Sequence, residues 1–197
     1  MRKKLLLPYV LLVVLILSAC SGGGFKAEHN FKIEPFEFTN QHNEKVSLDD
    51  MKGKVWLAQF VFTVCTSACP PMMSNMADID KKLIDEGVED YKIVSFSIDP
   101  AFDTPEIMQE YLDMYDVGDQ KNWEMLTGYK QEDITNFAAK SFKTPVADIP
   151  GSDQVMHAVH FFLVNQKGEA VKTYNGMVDV PFDQIIKDMK ALSKEGA

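Results

Sequence analysis

The segment Val55–Phe62, with the sequence VWLAQFVF, limits more than any other feature how this chain can fold. Seven of its eight residues are apolar, and β-branched or aromatic side chains dominate. A strand with one face in water alternates apolar and polar residues, and this segment does not. It therefore predicts a central strand that is buried on both faces of a sheet.

Strand and helix patterns alternate after this segment. Because proline is tolerated in the first turn, a helix is predicted from about Pro70 to a stop at Gly87. YKIVSFSI is typical of a second strand, and Thr104 with Pro105 of a capped helix start. Then follow a strand at WEMLTG, a helix at QEDITNFAAKSF, a hairpin turning at Lys167 and Gly168, and a helix from about Pro181 to Leu192. This order predicts an α/β fold of the thioredoxin type, with an N-terminal hairpin before Lys54 at the sheet edge.

The first twenty residues have the layout of an export signal. Basic residues at positions 2–4 precede an apolar run over 5–17, and small residues then lead to Cys20. The run is shorter than the roughly 20 apolar residues that a membrane-spanning helix needs. The string LSAC resembles the bacterial lipobox, in which the cysteine becomes the first mature residue and receives lipid. We therefore expect a signal peptide over 1–19, a lipidated tether over 20–30 and one domain over 31–197, anchored at the extracytoplasmic face of the cell membrane.

The charge of the mature chain argues against nucleic acid as a partner. Removal of the three basic residues of the signal from the total of 20 leaves 17, against 29 acidic residues, a formal charge of −12. Such a surface is unsuited to the phosphate contacts of nucleic acid binding. The excess of acid fits solubility, or attraction to cations or to a basic protein patch.

Two cysteines remain once Cys20 is assigned to lipid. Cys65 and Cys69 bracket the predicted turn between the central strand and the first helix, in the sequence CTSAC. The positive end of a helix dipole favours thiolate over thiol, so both sulfurs are expected to become better ligands and better nucleophiles. A close pair outside the cytoplasm forms a short disulfide, a redox couple or a metal site, and the spacing alone does not choose among them.

Four histidines could complete a site with these sulfurs. His29 lies in the predicted tether and His42 in the early hairpin, where solvated side chains are expected. His157 precedes the strand FFLV, on the approach that faces the cysteine turn in a thioredoxin-like fold, and is the favoured ligand. His160 follows three residues later, on the opposite face of an extended chain, and is interpreted as structural.

Four motifs together resemble the Sco/SenC family. FTVCTSACP, SFSIDPAFDTPE, LTG and VMHAVHFFLV occur in the order and at about the separations of that family. The resemblance implies a thioredoxin-like fold and a copper ion, Cu(I) or Cu(II), held by Cys65, Cys69 and His157. It also implies an assembly factor for the copper A centre of cytochrome c oxidase, which delivers copper, reduces the target cysteines, or does both. We expect subunit II of the oxidase as its partner, a monomeric state, and the role of a metallochaperone rather than of an enzyme.

The chain departs from the family pattern at two positions. Thr66 stands where many members have proline, and Met156 stands where they have an acidic residue before the ligand histidine. Neither departure removes a ligand, but the second leaves open what orients His157. Asp99 matches the family's DP motif, and it either tunes the site or a partner contact, or opens a turn ahead of Pro100.

The alternative function is a membrane-anchored thiol-disulfide oxidoreductase. Cys65 would attack a disulfide and Cys69 would resolve it. His157 and the three-residue spacer between the cysteines favour the copper hypothesis, since dedicated thioredoxin-like reductases use two residues. A peroxidase is disfavoured because Arg2, in the signal, is the chain's one arginine. Met72, Met73 and Met76 are interpreted as core rather than as copper ligands.

Overall fold

The computed structural model describes residues 24–148, 155–156 and 159–195. Two predicted site residues, Cys20 and His157, lie outside them. Within the described ranges the strands are β1 Phe31–Lys32, β2 Glu37–Thr39, β3 Lys45–Ser47, β4 Val55–Val61, β5 Tyr91–Ser97, β6 Trp123–Leu126, β7 Ala147–Asp148, β8 Val155–Met156, β9 His160–Val164 and β10 Glu169–Asn175. The α-helices are α1 Cys69–Asp85, α2 Pro105–Asp113, α3 Gln131–Phe142 and α4 Phe182–Glu195.

Six strands form the main sheet, in the order β1-β10-β9-β4-β5-β6. β4, β5 and β6 are parallel, whereas β9 runs antiparallel to β4 and β10 antiparallel to β9. Every residue of β4 is buried, as the apolar run predicts. Parallel neighbours need helical crossovers, and these place α1 and α2 between successive strands.

Helices cover both faces of the sheet. On one face Gln59 of β4 donates from Nε2 to the sulfur of Met73 in α1, at 3.1 Å, and α4 packs beside α1. On the other face the ring of Phe142 in α3 lies 5.4 Å from the ring of Phe60 in β4. The strand and helix order therefore confirms the α/β fold of the thioredoxin type, with a core on each side of β4.

The helix ends follow from local sequence. Pro70 and Pro71 lie in the first turn of α1, and Gly87, with φ of +66°, follows its end, a backbone conformation that glycine adopts without strain. The hydroxyl of Thr104 accepts a hydrogen bond from the N–H of Ile107, at 3.4 Å, and caps α2.

The N-terminal hairpin was predicted at the sheet edge, and it forms a separate two-stranded sheet. β2 and β3 pair with each other, and Thr39 exchanges two backbone hydrogen bonds with Thr127, just past β6. The edge strand on the opposite side of the main sheet is β1, which pairs with β10. The hairpin is thus an extension beside β6, held by the Thr39–Thr127 bridge.

The first described residues already contact the packed domain. The N–H of Phe25 donates to the Glu195 carboxylate of α4, at 3.3 Å, and the N–H groups of Glu28 and His29 donate to the Val171 carbonyl of β10. Gly24 lines a groove with Lys82 and Asp85 near the end of α1 and with Lys187, Lys190 and Glu195 of α4. The chain therefore enters the domain at the end of α1 that is opposite Cys69.

A buried carboxylate fastens α1 to the segment before β6. Asp80 is fully buried, and its Oδ1 accepts the hydroxyl of Tyr91 at 2.5 Å. Its Oδ2 accepts the N–H groups of Gly118 and Asp119 and the indole N–H of Trp123, at 2.8 to 3.1 Å. A buried carboxylate needs such donors, because an unpaired one costs several kcal/mol.

Candidate metal and redox site

The two motif cysteines lie at the junction of β4 and α1. β4 ends at Val61, and the turn that follows brings Cys65 and Cys69 together, with Cys69 the first residue of α1. The N–H of Cys69 donates to the Cys65 sulfur at 3.4 Å, and the N–H of Cys65 donates to the Phe62 carbonyl at 3.2 Å. Both cysteines are reduced, with side chains largely covered by the fold. The turn therefore presents two sulfurs side by side.

The environments of the two sulfurs differ. Burial raises the pKa of Cys65, but the N–H groups of Cys69, Ser67 and Ala68 outweigh it, so that its pKa lies below the usual value. Burial, with added contributions from the hydrogen bond to Cys65 and the charge of Asp103, raises the pKa of Cys69 well above the usual value. The prediction that the helix end makes both sulfurs more acidic is confirmed for Cys65 and wrong for Cys69, because Cys69 is fully buried.

A carboxylate that the sequence analysis missed holds the cysteine turn. Asp103 is fully buried, and its Oδ1 accepts both the N–H and the hydroxyl of Thr63, at 3.3 and 2.5 Å. Its Oδ2 accepts the Ser97 hydroxyl at 2.6 Å, and Thr127 donates to its carbonyl at 2.6 Å. Since Thr63 lies two residues before Cys65, this network fixes the start of the turn. Burial raises the pKa of Asp103, and the hydrogen bonds from Ser97 and Thr63 partly oppose that shift.

Asp99 opens the turn that leads to Asp103. Its carbonyl accepts the N–H groups of Phe102 and Asp103, at 3.1 and 2.9 Å, and its own N–H donates to the Ser97 hydroxyl. These contacts match the turn interpretation of the DP motif. The carboxylate that contacts the cysteine turn belongs to Asp103, four residues later in the same motif, directly before the cap residue Thr104. The sequence signal for Asp103 is its position: it is an acidic residue directly before the predicted cap residue Thr104, and it follows the strand that contains Ser97.

The strand that follows His157 starts at the same edge of the sheet as the cysteine turn. The antiparallel register pairs Trp56 with Val164 and Ala58 with Phe162, which puts the start of β9 at the carboxyl end of β4. β8, which ends one residue before His157, pairs with β7. His157 itself lies outside the described residues, so its role as a ligand stays a prediction.

The other histidines have separate surroundings. His160 begins β9, opposite Asn175 and half-buried, with its ring 6.3 Å from that of Phe162. His42 is exposed, as expected. His29 is half-buried rather than fully solvated, because its ring stacks on Phe31 at 4.3 Å between ring centroids.

Among the described residues, no three His, Cys, Asp or Glu side chains converge on one point. Met72, Met73 and Met76 are fully buried in the core, which confirms that they fill space.

Two features define the class of protein: a thioredoxin-like sheet, and a reduced Cys-x-x-x-Cys turn at the start of the first helix. The chain is a thioredoxin-fold protein with a paired-thiol site. The chain belongs to the SCO1/SenC family, whose model matches residues 26–194. The sequence resemblance to Sco/SenC proteins is thereby confirmed.

Individual relatives cover nearly the whole chain. The SCO1 protein homolog of Bacillus subtilis (strain 168) is 45% identical over 92% of this chain and 93% of its own length. BsSco, in which a disulfide switch was identified, is a member of the Sco family of cytochrome c oxidase assembly proteins. It is 44% identical with a TM-score of 0.80, over 87% of this chain and 98% of its own. A SCO1/SenC family lipoprotein from Bacillus anthracis str. Ames is 41% identical with a TM-score of 0.80, over 85% and 99% of the two chains.

The fold also extends to Sco proteins solved with copper. ScoI of Bradyrhizobium japonicum, with copper bound, has a TM-score of 0.68 and 22% identity, over 82% of this chain and 99% of its own. At that identity the likeness concerns the fold. Within the part of the chain that the structure describes, no helix is both long and apolar enough to cross a bilayer.

Proposed function

We propose that this protein is an extracytoplasmic copper-binding assembly factor for the copper A centre of cytochrome c oxidase, with subunit II of the oxidase as its partner. The observation that carries the proposal is the paired sulfurs of Cys65 and Cys69 at the carboxyl end of β4, where β9 also starts. Family membership supports it, since the relative BsSco is described as belonging to the cytochrome c oxidase assembly proteins.

The donor set suits copper. Thiolates select soft metals such as Cu(I), and an added imidazole lets a site hold Cu(II) as well. Cys65 and Cys69 would supply the two sulfurs and His157 the imidazole, while Asp103, through Thr63, keeps the turn in place. When bound, copper supplies a metal centre that can be handed to the oxidase or can change its oxidation state.

Thiol-disulfide exchange is the second candidate function, and the unequal sulfurs favour it. Cys65, with the lower pKa, would attack a partner disulfide as a thiolate, forming a mixed disulfide and releasing one partner thiolate. Cys69, once deprotonated, would attack the Cys65 sulfur and release the second partner thiolate. The partner gains two electrons, and Cys65 and Cys69 end as a disulfide.

A deletion strain separates the two functions. Without this protein, cells are expected to lose the oxidase that carries a copper A centre and to keep a quinol oxidase that lacks one, because only the former needs copper placed in an exported domain. Added copper should restore part of the activity by mass action. Both oxidase activities and the redox state of other exported thiol proteins are measured in the same cells. A joint failure of several exported thiol proteins, with no rescue by copper, would establish the reductase instead.

His157→Ala is expected to lower the copper affinity of the reduced protein by at least about 10- to 100-fold, because loss of a residue that only orients a ligand already costs that much, and this change removes the proposed ligand itself while leaving both thiols. The Cys65–Cys69 disulfide should still form at the wild-type rate. His160→Ala is the matched control, since His160 begins β9 in the register of the sheet, and its expected effect is under threefold. Copper titration followed by the sulfur-to-metal charge-transfer band measures both. Equal losses from the two substitutions would contradict the assignment of His157.

Lipid on Cys20 is expected to keep the protein in the membrane fraction. The lipobox-like LSAC supports this, as does the relative from Bacillus anthracis, which is described as a lipoprotein. Cys20→Ser should release the protein from membranes, whereas Cys65→Ser should not. Immunoblots of membrane and medium fractions, with mass spectrometry for the attached lipid, test this. Unmodified wild-type protein in the medium would contradict it.

A further inference from the structure

Exposed apolar side chains gather at the edge of the sheet that carries the cysteine turn. Among the residues that the structure describes, six large apolar side chains are exposed. Four of them follow the carboxyl ends of parallel strands: Val64 after β4, Phe102 after β5, and Met177 and Val178 after β10. We call these four residues the thiol rim. A single exposed apolar residue needs no explanation, but a group of them at one site marks an interaction surface.

The register of the sheet places the thiol rim on both sides of the cysteine turn. Phe162 of β9 pairs with both Ala58 and Thr173, so β10 runs in the same direction as β4, with one strand between them. Asn175, the last residue of β10, is therefore level with Phe60 and about 10 Å from it. β5 pairs directly with β4 on the other side. The loops after β5 and β10 thus flank the cysteine turn.

Hydrogen bonds hold the loops of the thiol rim in place. Asp103 accepts the N–H and the hydroxyl of Thr63, at 3.3 and 2.5 Å. Their neighbours in the chain are Phe102 and Val64, which this contact keeps close together. On the other side of the turn, Nδ2 of Asn75 in α1 donates to two carbonyls of the loop after β10, at 3.0 and 3.3 Å. A surface that is fixed before binding loses less conformational entropy when a partner docks.

The charges that border the thiol rim are mostly negative. The rim loops and the helix starts that follow them, over 62–71, 98–106 and 175–183, contain five carboxylates and no lysine or arginine. Asp103 is buried, and the other four are exposed or half-buried: Asp99, Glu106, Asp179 and Asp183. In the loop after β6, Lys130 is followed by acidic residues at 132 and 133. A partner that docks here therefore meets an apolar surface with an acidic border.

We propose that the thiol rim is the surface on which a partner protein docks, and that this partner presents apolar side chains bordered by basic ones. The apolar contact excludes water from around the sulfurs, and the acidic border attracts a basic surface and repels an acidic one. A second copy of this chain would set one acidic border against another, so charge disfavours it. This inference rests on the proposed function, in which Cys65 and Cys69 pass copper or electrons to subunit II of the oxidase.

The first test measures the affinity of the full mature protein, in its reduced form, for the exported domain of subunit II. Phe102→Ser is expected to weaken binding about tenfold, because it removes an aromatic side chain, 49% exposed, from the centre of the contact. Ile84→Ser is the matched control. Ile84 is 41% exposed but lies at the other end of α1, about 22 Å from Cys69 along the helix axis, and its expected effect is under twofold.

The same variant separates docking from the chemistry of the sulfurs. Phe102→Ser should leave the copper affinity, and the rate at which the thiols reduce a small disulfide such as oxidised glutathione, within about twofold of the wild type, since neither needs a docked protein. Because Phe102 is exposed, its urea unfolding midpoint should also stay unchanged. Parallel losses of copper affinity and of protein binding would show that Phe102 acts on the cysteine turn, and would overturn the docking role.

The acidic border is tested through the association rate. Asp179→Asn should lower the rate of association with the same domain about two- to threefold at low salt, and the difference should vanish at high salt. Asparagine tolerates the left-handed backbone of this position, where φ is +48°. Asp85→Asn, an exposed carboxylate at the far end of α1, changes the net charge equally and should have no effect. An association rate that rises with salt would contradict a basic partner surface.

The outcomes distinguish this inference from the function on which it rests. If the wild-type protein does not bind the exported domain, the proposed partner is wrong and the docking role fails with it. If it binds, but Phe102→Ser and Ile84→Ser bind equally well, the partner stands and the docking role is wrong. Self-association of the wild type, or its binding to phosphatidylglycerol vesicles, that Phe102→Ser abolishes would give the thiol rim another occupant and overturn the proposal.

Discussion

Oxidation of Cys65 and Cys69 to a disulfide is expected to lower the copper affinity of the protein by about a thousandfold or more. With the ligand set proposed above, the disulfide removes two thiolate donors at once and leaves one imidazole, which cannot hold copper tightly alone. The turn brings the two residues close, with the Cys69 N–H on the Cys65 sulfur at 3.4 Å, so the oxidation needs little movement of the backbone. Copper titrations of the reduced and oxidised protein, with thiols counted in each, give the ratio.

Two controls make this result specific to the sulfurs. Reduction of the oxidised sample should restore full binding, which excludes damage to the fold. Cys65→Ser and Cys69→Ser should each lose much of the affinity while remaining unable to form the disulfide. Similar affinities before and after oxidation would show that copper is bound elsewhere and would leave thiol exchange as the function of the pair.

The largest effect on stability is expected from Asp80→Ala. This change removes the carboxylate that accepts the buried hydroxyl of Tyr91 and the buried indole N–H of Trp123, together with the part-buried N–H groups of Gly118 and Asp119. Each unsatisfied buried donor costs about 1–3 kcal/mol, and partial access of water reduces the sum. We expect the free energy of unfolding to fall by about 3–5 kcal/mol, at the upper end of single substitutions. Urea denaturation of the reduced protein measures it.

Asp78→Ala is the matched control for this change. Asp78 lies on the same helix, two residues earlier, with an exposed side chain, and its removal alters the net charge by the same amount. Its effect should stay within about 0.5 kcal/mol. A comparable loss in both variants would mean that charge or helix propensity, rather than the buried donors, sets the contribution of Asp80.

The order of strands and helices could be predicted because each element carries its own periodicity. The unbroken apolar run of β4, the proline-led start of α1 and the cap at Thr104 are all local signals. The pairing of β2 with β3 beside β6 is not local, since it depends on hydrogen bonds between Thr39 and Thr127, far apart in sequence. Nothing in either segment alone specifies that bridge.

The candidate site was predictable in its residue types and less so in its electrostatics. The sequence placed Cys65 and Cys69 on a strand-to-helix turn, which the structure confirms. It could not show that Cys69 is fully buried while Cys65 receives several N–H groups, because that contrast arises from tertiary packing. Tertiary packing also decides that Asp103, rather than Asp99, contacts the cysteine turn. Asp103 binds Thr63, and these two residues are 40 positions apart in the sequence. His157 and Cys20 stay predictions.

The entry of the chain beside α4 would limit the distance between the thiols and a membrane if Cys20 carries lipid, as proposed. Gly24 shares a groove with Lys82 near the end of α1, and Cys69 begins that helix about 20 Å away along its axis. Cys20 precedes Gly24 by four residues, so the chain between them can span at most about 14 Å. With Cys20 lipidated, as proposed, the Gly24 end stays near the lipid however the domain tilts. The distance of the thiols from the lipid is then limited by the length of α1 together with the length of this segment, and the proposed partner would have to present its cysteines within that limit.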